Sequence, residues 1–411
     1  MPDTELIGRL GVWEGYSVTR AQRYEAGSDG GRPRVWVELA PVPDRPMTCD
    51  ACGRRAAAVH DVSTRVVRDL PLFDAETYLR VPRRRVQCPH CGPRLERLPW
   101  LHRYARVTKR LAESVVRLCQ QLPIKHVAAF YGLGWDAVKD LDKAALEERL
   151  GPPNLDGLEI LAMDEFAIQK GHRYATVIIE PLRKRVLWVG RGRDRACVKT
   201  FLELLGPARC SRIRAVAMDM HTSFIFEVKA HCPQAEIVFD LFHVVAKYGR
   251  EVIDRVRVDE ANRLRRDKPA RKVIKSSRWL LLRNRENVTR REDRVRLSEL
   301  LHANRAIAKA YLMRDELKHL WTYRTAGWAD RGWADWYRRA VRSRIEPLAT
   351  FAKRLATYAH GIVAHARWPF HTSLLEGINN KIKVIKRMAY GLRDDEYFFL
   401  KIRSAFPGTP G

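Results

Sequence analysis

Acidic residues are scarce in this sequence relative to basic ones. Its 411 residues include 76 lysines and arginines but only 48 aspartates and glutamates, so the formal net charge is +28. A small-molecule enzyme gains nothing from so large a positive field, whereas a protein that binds a polyanion does. Hydrophobic residues make up 46% of the chain and are spread along it, which argues against intrinsic disorder. The charge therefore indicates a folded protein that contacts nucleic acid.

Long apolar runs and nucleotide-binding loops are also missing. No stretch approaches the roughly 18 consecutive apolar residues of a membrane span, and the chain starts with early acids and no apolar signal-peptide core. These features predict a cytoplasmic protein with no membrane partner. No Walker sequence occurs, so no nucleotide cofactor is expected. The eight cysteines of a cytoplasmic chain are more typical of metal ligands or buried thiols than of disulfides.

Four cysteines form two Cys-x-x-Cys pairs with 35 residues between the pairs. They are Cys49, Cys52, Cys88 and Cys91. Each pair is followed by glycine, which permits a tight turn that directs backbone N–H groups at the thiolates. Four thiolates are the tetrahedral set that structural Zn²⁺ prefers, so we predict a zinc ribbon over residues 49–100. Four unpaired buried thiols are the weaker alternative.

A basic strand is predicted between the two cysteine pairs, and we expect it to contact the DNA backbone. Its central residues are Arg83, Arg84 and Arg85. Zinc ribbons also serve as protein docking sites. Residues 1–48, which precede the ribbon, contain one predicted strand at 34–39.

Residues 101–150 contain three apolar-periodic segments, which we predict to be short helices. The second and third are joined by Gly132-Leu-Gly134, as in a helix-turn-helix whose second helix enters the major groove. In that arrangement Trp135 and Lys139 would contact DNA. A plain three-helix linker bundle would explain the same pattern.

Apolar strands and helices alternate from residue 155 to residue 243. Their order is three strands, helix, strand, helix, strand, which predicts an α/β sheet of the ribonuclease-H type. Asp164 follows the first strand and Asp219 the fourth, and these strands are neighbours in that topology. Two close carboxylates repel each other unless cations neutralise them, which favours Mg²⁺. Alternatively, each aspartate only ends a strand and begins a turn.

A third aspartate competes for the second position. Asp240 also follows an apolar strand, and His243 lies one helical turn later. We favour Asp219, because the fourth strand adjoins the first and the fifth lies further out. Asp240 and His243 are then expected to support the site or to contact DNA.

A third acid is expected on a helix within residues 366–411, after a basic, tryptophan-containing helical insertion at 244–365. Glu376 lies on its polar face and suits a metal ion. It is followed at steps of four, three and four by an amide and two cations that suit phosphates. These are Asn380, Lys383 and Arg387. The alternative is that Ser373-x-x-Glu376 is only a capping box.

Together these motifs resemble the ISL-three family of bacterial insertion-sequence transposases, over nearly the whole chain. The resemblance rests on the cysteine pairs, Met-Asp164-Glu, Ala-Met-Asp219-Met, Ile-Val-Phe-Asp240-Leu-Phe-His243-Val and Glu376-Gly-Ile-Asn-Asn-Lys-Ile-Lys. It implies a ribonuclease-H-like core with a DDE triad of Asp164, Asp219 and Glu376. It also implies two Mg²⁺ or Mn²⁺ ions, cleavage at terminal inverted repeats and joining of 3′-OH ends to target DNA. Family members generally act as dimers that pair two DNA ends, which favours a homodimer.

Two other functions fit parts of the pattern. A non-catalytic DNA-binding regulator needs only the ribbon and the helix-turn-helix. Another ribonuclease-H-like nuclease, such as a junction resolvase, needs only the sheet. Converging acids in a basic chain argue against the regulator, and the long insertion with two upstream DNA-binding modules argues against the resolvase.

Overall fold

The computed structural model describes residues 4–26, 31–43, 45–169, 171, 173–369, 373–389 and 393–409. They divide into two compact units. The first comprises the described residues within 1–149 and 388–391, and the second those within 150–387 and 392–411. In the described part of the chain, no helix is both long enough and apolar enough to cross a bilayer.

The first unit is a five-stranded sheet with helices. Its strands, with a small second sheet formed by β3 and β4, are β1 (Tyr16–Tyr24), β2 (Arg34–Pro41), β3 (Met47–Thr48), β4 (Arg55–Ala56), β5 (Ala58–Leu72), β6 (Ala75–Cys88) and β7 (Gly92–Leu95). Its helices are α1 (Thr4–Gly11), α2 (Lys109–Cys119), α3 (Ile124–Tyr131) and α4 (Trp135–Leu150). The sheet order is β1-β2-β6-β5, and β7 also pairs with β6.

The strands before the cysteine pairs and those between them form one sheet. β2 runs parallel to β6, with Val37 opposite Leu79, and both side chains are buried. The strand predicted at 34–39 is confirmed by β2. β1 was not predicted, because its polar residues are mostly solvent-facing and leave little apolar alternation.

The second unit contains the mixed sheet that the sequence predicted. Its strands are β8 (Ile160–Gln169), β9 (Arg173–Glu180), β10 (Arg185–Arg191), β11 (Ala215–Met218) and β12 (Glu236–Phe239). The order is β10-β9-β8-β11-β12. β11 runs parallel to both β8 and β12, whereas β8, β9 and β10 are antiparallel. The prediction that the fourth strand adjoins the first is therefore confirmed.

One expectation about this sheet is wrong. β8 does not end at Asp164 but continues to Gln169, because its pairing with β9 extends past the apolar run. Phe166 and Ile168 stay buried in this extension. Asp164 is thus held inside a strand on the side opposite to its neighbour Glu165.

Helices surround this sheet and make up the insertion. They are α5 (Arg195–Leu205), α6 (Pro207–Cys210), α7 (Thr222–His231), α8 (Leu241–Tyr248), α9 (Asp254–Arg263), α10 (Lys268–Ser276), α11 (Arg278–Leu282), α12 (Arg291–Ala303), α13 (Arg305–His319), α14 (Ala326–Val341), α15 (Glu346–Leu355), α16 (Ala359–Val363), α17 (Ser373–Met388) and α18 (Asp395–Ala405). A π-helical turn, Gly249–Ile253, connects α8 to α9. The insertion shares its core with the sheet, since the buried Trp321 indole donates a hydrogen bond to the carbonyl of Phe239 at 3.3 Å.

Candidate functional site

The two cysteine pairs meet at one end of the first unit's sheet. The antiparallel pair β3–β4 holds the first turn, and the second turn connects β6 to β7. The four predicted cysteines each offer a sulfur, and these sulfurs lie within 4.8 Å of one another. Gly53 and Gly92 have φ angles of +71° and +67°, the left-handed conformation that glycine adopts without strain. The turns therefore close as the sequence predicts.

The donor set fits structural zinc. Backbone N–H groups of His90 and Cys91 point at the sulfur of Cys88 and lower the pKa of that thiol to about 6, which favours the thiolate that Zn²⁺ binds. Four thiolates with no other ligand type form a closed structural site rather than a catalytic one.

The basic strand between the pairs is only partly available to DNA. Arg83 is 1% exposed and donates a hydrogen bond to the carbonyl of Glu96, so the structure contradicts its expected contact with phosphates. Arg84 forms a two-pronged pair with the buried carboxylate of Glu96. Arg85 stays partly exposed beside Asp61. The reason is alternation: β6 turns every second side chain towards the sheet's covered face.

The predicted helices of the helix-turn-helix are all present. α3 ends at Gly132, which has a φ angle of +62°. The last carbonyls of α3 and the turn accept hydrogen bonds from Arg32 and Arg68, two arginines of the sheet region. A side chain at position 132 would meet the carboxylate of Glu76. The turn is thus held tightly against the sheet, and α4 leaves it in a fixed direction.

The two residues predicted to reach DNA lie at the start of α4. Trp135 is 44% exposed. The ammonium of Lys139 lies 3.4 Å from the carboxylate of Asp140, and the Lys139 side chain is about one fifth exposed.

A buried carboxylate, that of Asp69, connects the same unit's sheet to α2. The carboxylate of Asp69 accepts hydrogen bonds from Trp13 and Arg110, each at 2.7 Å, and from Thr108 at 2.6 Å.

Carboxylates converge on one histidine in the second unit. The imidazole of His243 lies 3.6 Å from a carboxylate oxygen of Asp164, 3.3 Å from one of Asp219 and 4.0 Å from one of Asp240. Asp164 and Asp240 are almost fully buried, whereas Asp219 is partly exposed. The predicted approach of Asp164 and Asp219 is present, with His243 between them.

The ends of the parallel strands place these side chains. Asp219 follows β11, and its carboxylate accepts the backbone N–H of Met220 at 2.5 Å. Asp240 follows β12 and caps α8, accepting the N–H of Phe242 at 2.7 Å. His243 comes from the first turn of that helix, so the cap fixes where the imidazole points.

The electrostatics of this cluster divide its members. Burial raises the pKa of Asp240 to about 6, and the nearby Asp164 and Asp219 charges add to the rise. Burial alone would lower the pKa of His243, but the close contact with Asp164 and the charges of the three surrounding carboxylates outweigh it and raise that pKa to about 9. At neutral pH the imidazole is therefore cationic and offsets part of the negative charge.

Asn379 is a site residue that the sequence reasoning missed. Its side-chain amide donates to the second carboxylate oxygen of Asp164 at 2.6 Å. The carbonyl oxygen of the same amide is buried and has no hydrogen-bond partner among the described residues. The available signal was its spacing, since Asn379 lies one helical turn after Glu376 on α17.

The side chain of Glu376 is exposed to solvent, although α17 carries two other residues that approach the aspartate cluster. Leu375 lines a small hollow together with Asp240, and Asn379 holds Asp164. Within the described ranges, only the four cysteines form a set of three or more ligating side chains whose donor atoms all lie within 4.8 Å. Neither Glu376 with Asp164 and Asp219 nor the three aspartates together form such a set. The side chain of Ser373, on which the capping-box alternative depends, lies outside the described residues.

The remaining polar face of α17 is solvent-exposed, as predicted. Asn380, Lys383 and Arg387 are exposed, and the Lys383 ammonium donates to the Asn380 amide oxygen at 3.2 Å. Lys386 reaches back to the carbonyl of Ala167 on β8 at 3.1 Å, which fixes the helix along that strand.

The residues of the cluster fit a divalent cation. Asp164 and Asp219 offer the carboxylate oxygens that Mg²⁺ prefers, and Asn379, which contacts Asp164, adds a neutral carbonyl oxygen that has no partner among the described residues. This surplus of acceptors over donors is the chemistry of a cation site.

Comparison with known proteins agrees with this geometry. A family model described as a transposase of the DDE type, family ISL3, matches residues 161–402. A second model, the zinc finger of transposases IS204, IS1001, IS1096 and IS1165, matches residues 45–91. A third, the helix-turn-helix domain of transposase family ISL3, matches residues 96–146.

Whole-chain relatives have the same description. The transposase for insertion sequence element IS1001 of Bordetella parapertussis is 55% identical over 100% of both chains. The transposase for insertion sequence element IS1557 of Mycobacterium tuberculosis is 26% identical over 91% of this chain and 88% of its own. A zinc ribbon, a helix-turn-helix and a ribonuclease-H-like DDE core thus follow one another along this sequence, and the chain belongs to the ISL3 family of DNA transposases.

Proposed function

We propose that this transposase cleaves DNA at the terminal inverted repeats of its insertion sequence and joins the 3′-OH ends to target DNA at the Asp164 cluster. The observation that carries the proposal is one set of contacts. The carboxylates of Asp164 and Asp219 meet at His243, and the helix that bears Glu376 reaches Asp164 through Asn379. Asp164, Asp219 and Glu376 are then the catalytic triad.

The triad would hold two Mg²⁺ or Mn²⁺ ions. Such ions, when bound, activate the attacking oxygen and stabilise the leaving oxygen of an in-line phosphoryl displacement. The protein's own contribution is position. β8 and β11 fix two carboxylates, and the amide of Asn379 keeps Asp164 in one orientation. In the first step water attacks phosphorus and the P–O3′ bond breaks, leaving a 3′-OH. In the second step that 3′-OH attacks the phosphorus of a target phosphodiester, the target's own P–O3′ bond breaks, and the target strand is left with a free 3′-OH.

Asp219 rather than Asp240 is proposed as the second ligand. Asp219 follows the strand next to β8, and its side chain is partly open to solvent. Asp240 is buried, caps α8 and has a raised pKa, all of which suit a supporting role. His243 supports the site with it, because its imidazole lies within 4.0 Å of all three carboxylates.

DNA contacts are proposed on three surfaces of the cytoplasmic protein. The basic strand of the ribbon contributes Arg85, and the start of α4 contributes Trp135 and Lys139. On α17 the contacts are Asn380, Lys383 and Arg387. A homodimer would bring two ends of the insertion sequence together, with each chain supplying one aspartate cluster.

The same proposal includes the predicted domain limits. These are 1–48, 49–100, 101–150, 155–243, 244–365 and 366–411.

An end-cleavage assay tests this proposal. The purified chain is incubated with a labelled duplex that carries a terminal repeat, a target plasmid and Mg²⁺. We expect end-joined product, which disappears when the divalent ion is omitted. Nicking without joining would instead indicate a nuclease, and binding without either product would indicate a regulator. Product that persists without divalent ion would exclude the two-metal mechanism.

The variant Glu376→Gln tests the third triad residue. Glutamine retains most helix-capping ability but removes the charge, so cleavage should be abolished while the melting temperature is kept. Glu165→Gln is the matched control, because Glu165 lies one residue from Asp164 and pairs with Arg193 instead. Wild-type cleavage by Glu376→Gln would show that this residue only caps the helix.

A further inference from the structure

The insertion carries a concentrated basic surface on α10. Lys268, Arg271, Lys272 and Lys275 recur at the spacing of one helical face and together line an open concavity with Ser276. The guanidinium of Arg296 on α12 donates to the Ser276 hydroxyl and adds a fifth cation beside it. We refer to these five cations as the α10 patch.

Nothing in the described lining neutralises the α10 patch. Its lining contains no carboxylate. The neighbouring Asp267 is used as the N-cap of α10 and accepts the N–H of Ala270 at 3.0 Å. The guanidinium nitrogen Nε of Arg271 is shielded from solvent yet has no hydrogen-bond partner among the described residues. Like charges three and four residues apart destabilise a helix, so the protein keeps a cluster that works against its own α10.

A second groove in the same insertion shows the contrast. It is lined by five arginines, and three of them are paired: Arg255 with Asp259, Arg263 with Glu260 and Arg354 with Glu251. Basic residues of the insertion are therefore not uniformly left open. The α10 patch is the surface where an outside polyanion would supply the missing negative charge.

We infer that the α10 patch is a DNA-backbone binding site of the insertion, separate from the ribbon, the helix-turn-helix and α17. Its ligand is a run of phosphates, read without sequence preference, because the site presents only cations and one hydroxyl. The inference rests on the proposed function, in which the chain holds DNA while it cuts and joins it.

Salt dependence of DNA binding tests this site. Affinity of the full chain for a terminal-repeat duplex is measured by fluorescence anisotropy across a series of salt concentrations. The slope of log affinity against log salt is negative, and each lost phosphate contact lowers its magnitude by roughly 0.9. The double variant Lys268→Gln/Lys272→Gln should therefore reduce that magnitude by about 2. The same reduction is expected on an unrelated duplex of equal length. Both lysines are exposed, so the melting temperature of the double variant protein should match or exceed that of the wild-type protein.

Arg255→Gln/Arg263→Gln is the control, since it removes the same charge from paired residues of the same insertion. Its slope should stay close to the wild-type slope. Equal slopes for the lysine variant and the wild type would overturn the inference while leaving the proposed function intact, provided that the wild type binds and cleaves the duplex. A wild-type chain that does not bind the duplex would overturn both.

Discussion

At the residue scale, Asn379 connects the helix that carries Glu376 to the strand that carries Asp164. Its amide nitrogen holds one carboxylate oxygen at 2.6 Å, while His243 approaches the other at 3.6 Å. Both oxygens of Asp164 are thereby oriented before any substrate arrives. Groups that orient a ligand in this way typically matter nearly as much as the ligand itself.

Asn379→Ala should therefore weaken activation by Mg²⁺. The concentration needed for half-maximal cleavage is expected to rise about 10- to 100-fold, the usual effect of losing such a partner. Asn380→Ala is the adjacent comparison. Its exposed amide faces away from Asp164, so that variant should weaken DNA binding and leave the Mg²⁺ requirement unchanged. An unaltered Mg²⁺ titration for Asn379→Ala would remove its positioning role.

Asp69 is the residue on which we expect the stability of the first unit to depend most strongly. It is fully buried, and its carboxylate satisfies Trp13, Thr108 and Arg110 together. Asp69→Ala leaves three donors without their acceptor, so we expect a loss of about 3–5 kcal/mol in free energy of unfolding. Asp74→Ala, which removes an exposed pair with Arg23, should change little. Chemical denaturation of both variants checks the difference; similar midpoints would show that Asp69 is not a hub.

At the scale of elements, the turn between α3 and α4 depends on one glycine. Gly132 has a left-handed φ angle of +62°, and a Cβ there would lie 1.8 Å from a carboxylate oxygen of Glu76. Gly132→Ala should therefore cost about 1–3 kcal/mol in free energy of unfolding. Gly134→Ala is the control, because a Cβ at that position meets nothing within 4 Å. Equal melting temperatures for the two variants would contradict the strain argument.

The four cysteines of the two turns should bind one metal ion together. We expect one Zn²⁺ per chain, measured by metal analysis of the purified protein. Cys88→Ser should lose it, because three sulfurs no longer close the tetrahedral site. Cys197→Ser should keep it, since that buried thiol belongs to α5. Full zinc content in Cys88→Ser would place the metal elsewhere.

Elements were easier to predict than the faces on which their side chains lie. The strands of the second unit are recognisable in the sequence because each is a short apolar run. β8 extends beyond its apolar run because β9 supplies a pairing partner there. A run such as Arg83–Arg85 predicts a strand and a positive charge, but alternation buries Arg83. The helical period favours Asn380, on the polar face of α17, over its neighbour Asn379, although it is Asn379 that contacts Asp164. Which helix face meets the sheet is decided by tertiary packing, which the helical period alone does not give.

At the scale of the whole molecule, the net charge of +28 is distributed unevenly. Many arginines are neutralised in pairs, such as Arg84 with Glu96 and Arg195 with Glu227. Open cations remain on the α10 patch and on the exposed face of α17. Three acids of the second unit instead cluster on the mixed sheet, with Asp164 inside β8 and Asp219 and Asp240 just after β11 and β12, and one imidazole lies near all three. In the proposed function the two charge types serve separate steps, with the cations binding DNA and the acids supporting its cleavage.

Binding and chemistry should accordingly respond differently to salt. If six to ten phosphates are contacted, raising salt from 50 to 200 mM should weaken DNA binding by about 10³- to 10⁵-fold, because condensed counterions are no longer released as favourably. The cleavage rate at saturating DNA should change far less, since the acid cluster is mostly buried and short-range. Anisotropy titrations and single-turnover cleavage at both concentrations make the comparison. A binding constant that changed less than tenfold would mean that the excess positive charge does not contact phosphates. A parallel fall in the cleavage rate at saturating DNA would mean that cations take part in the chemical step.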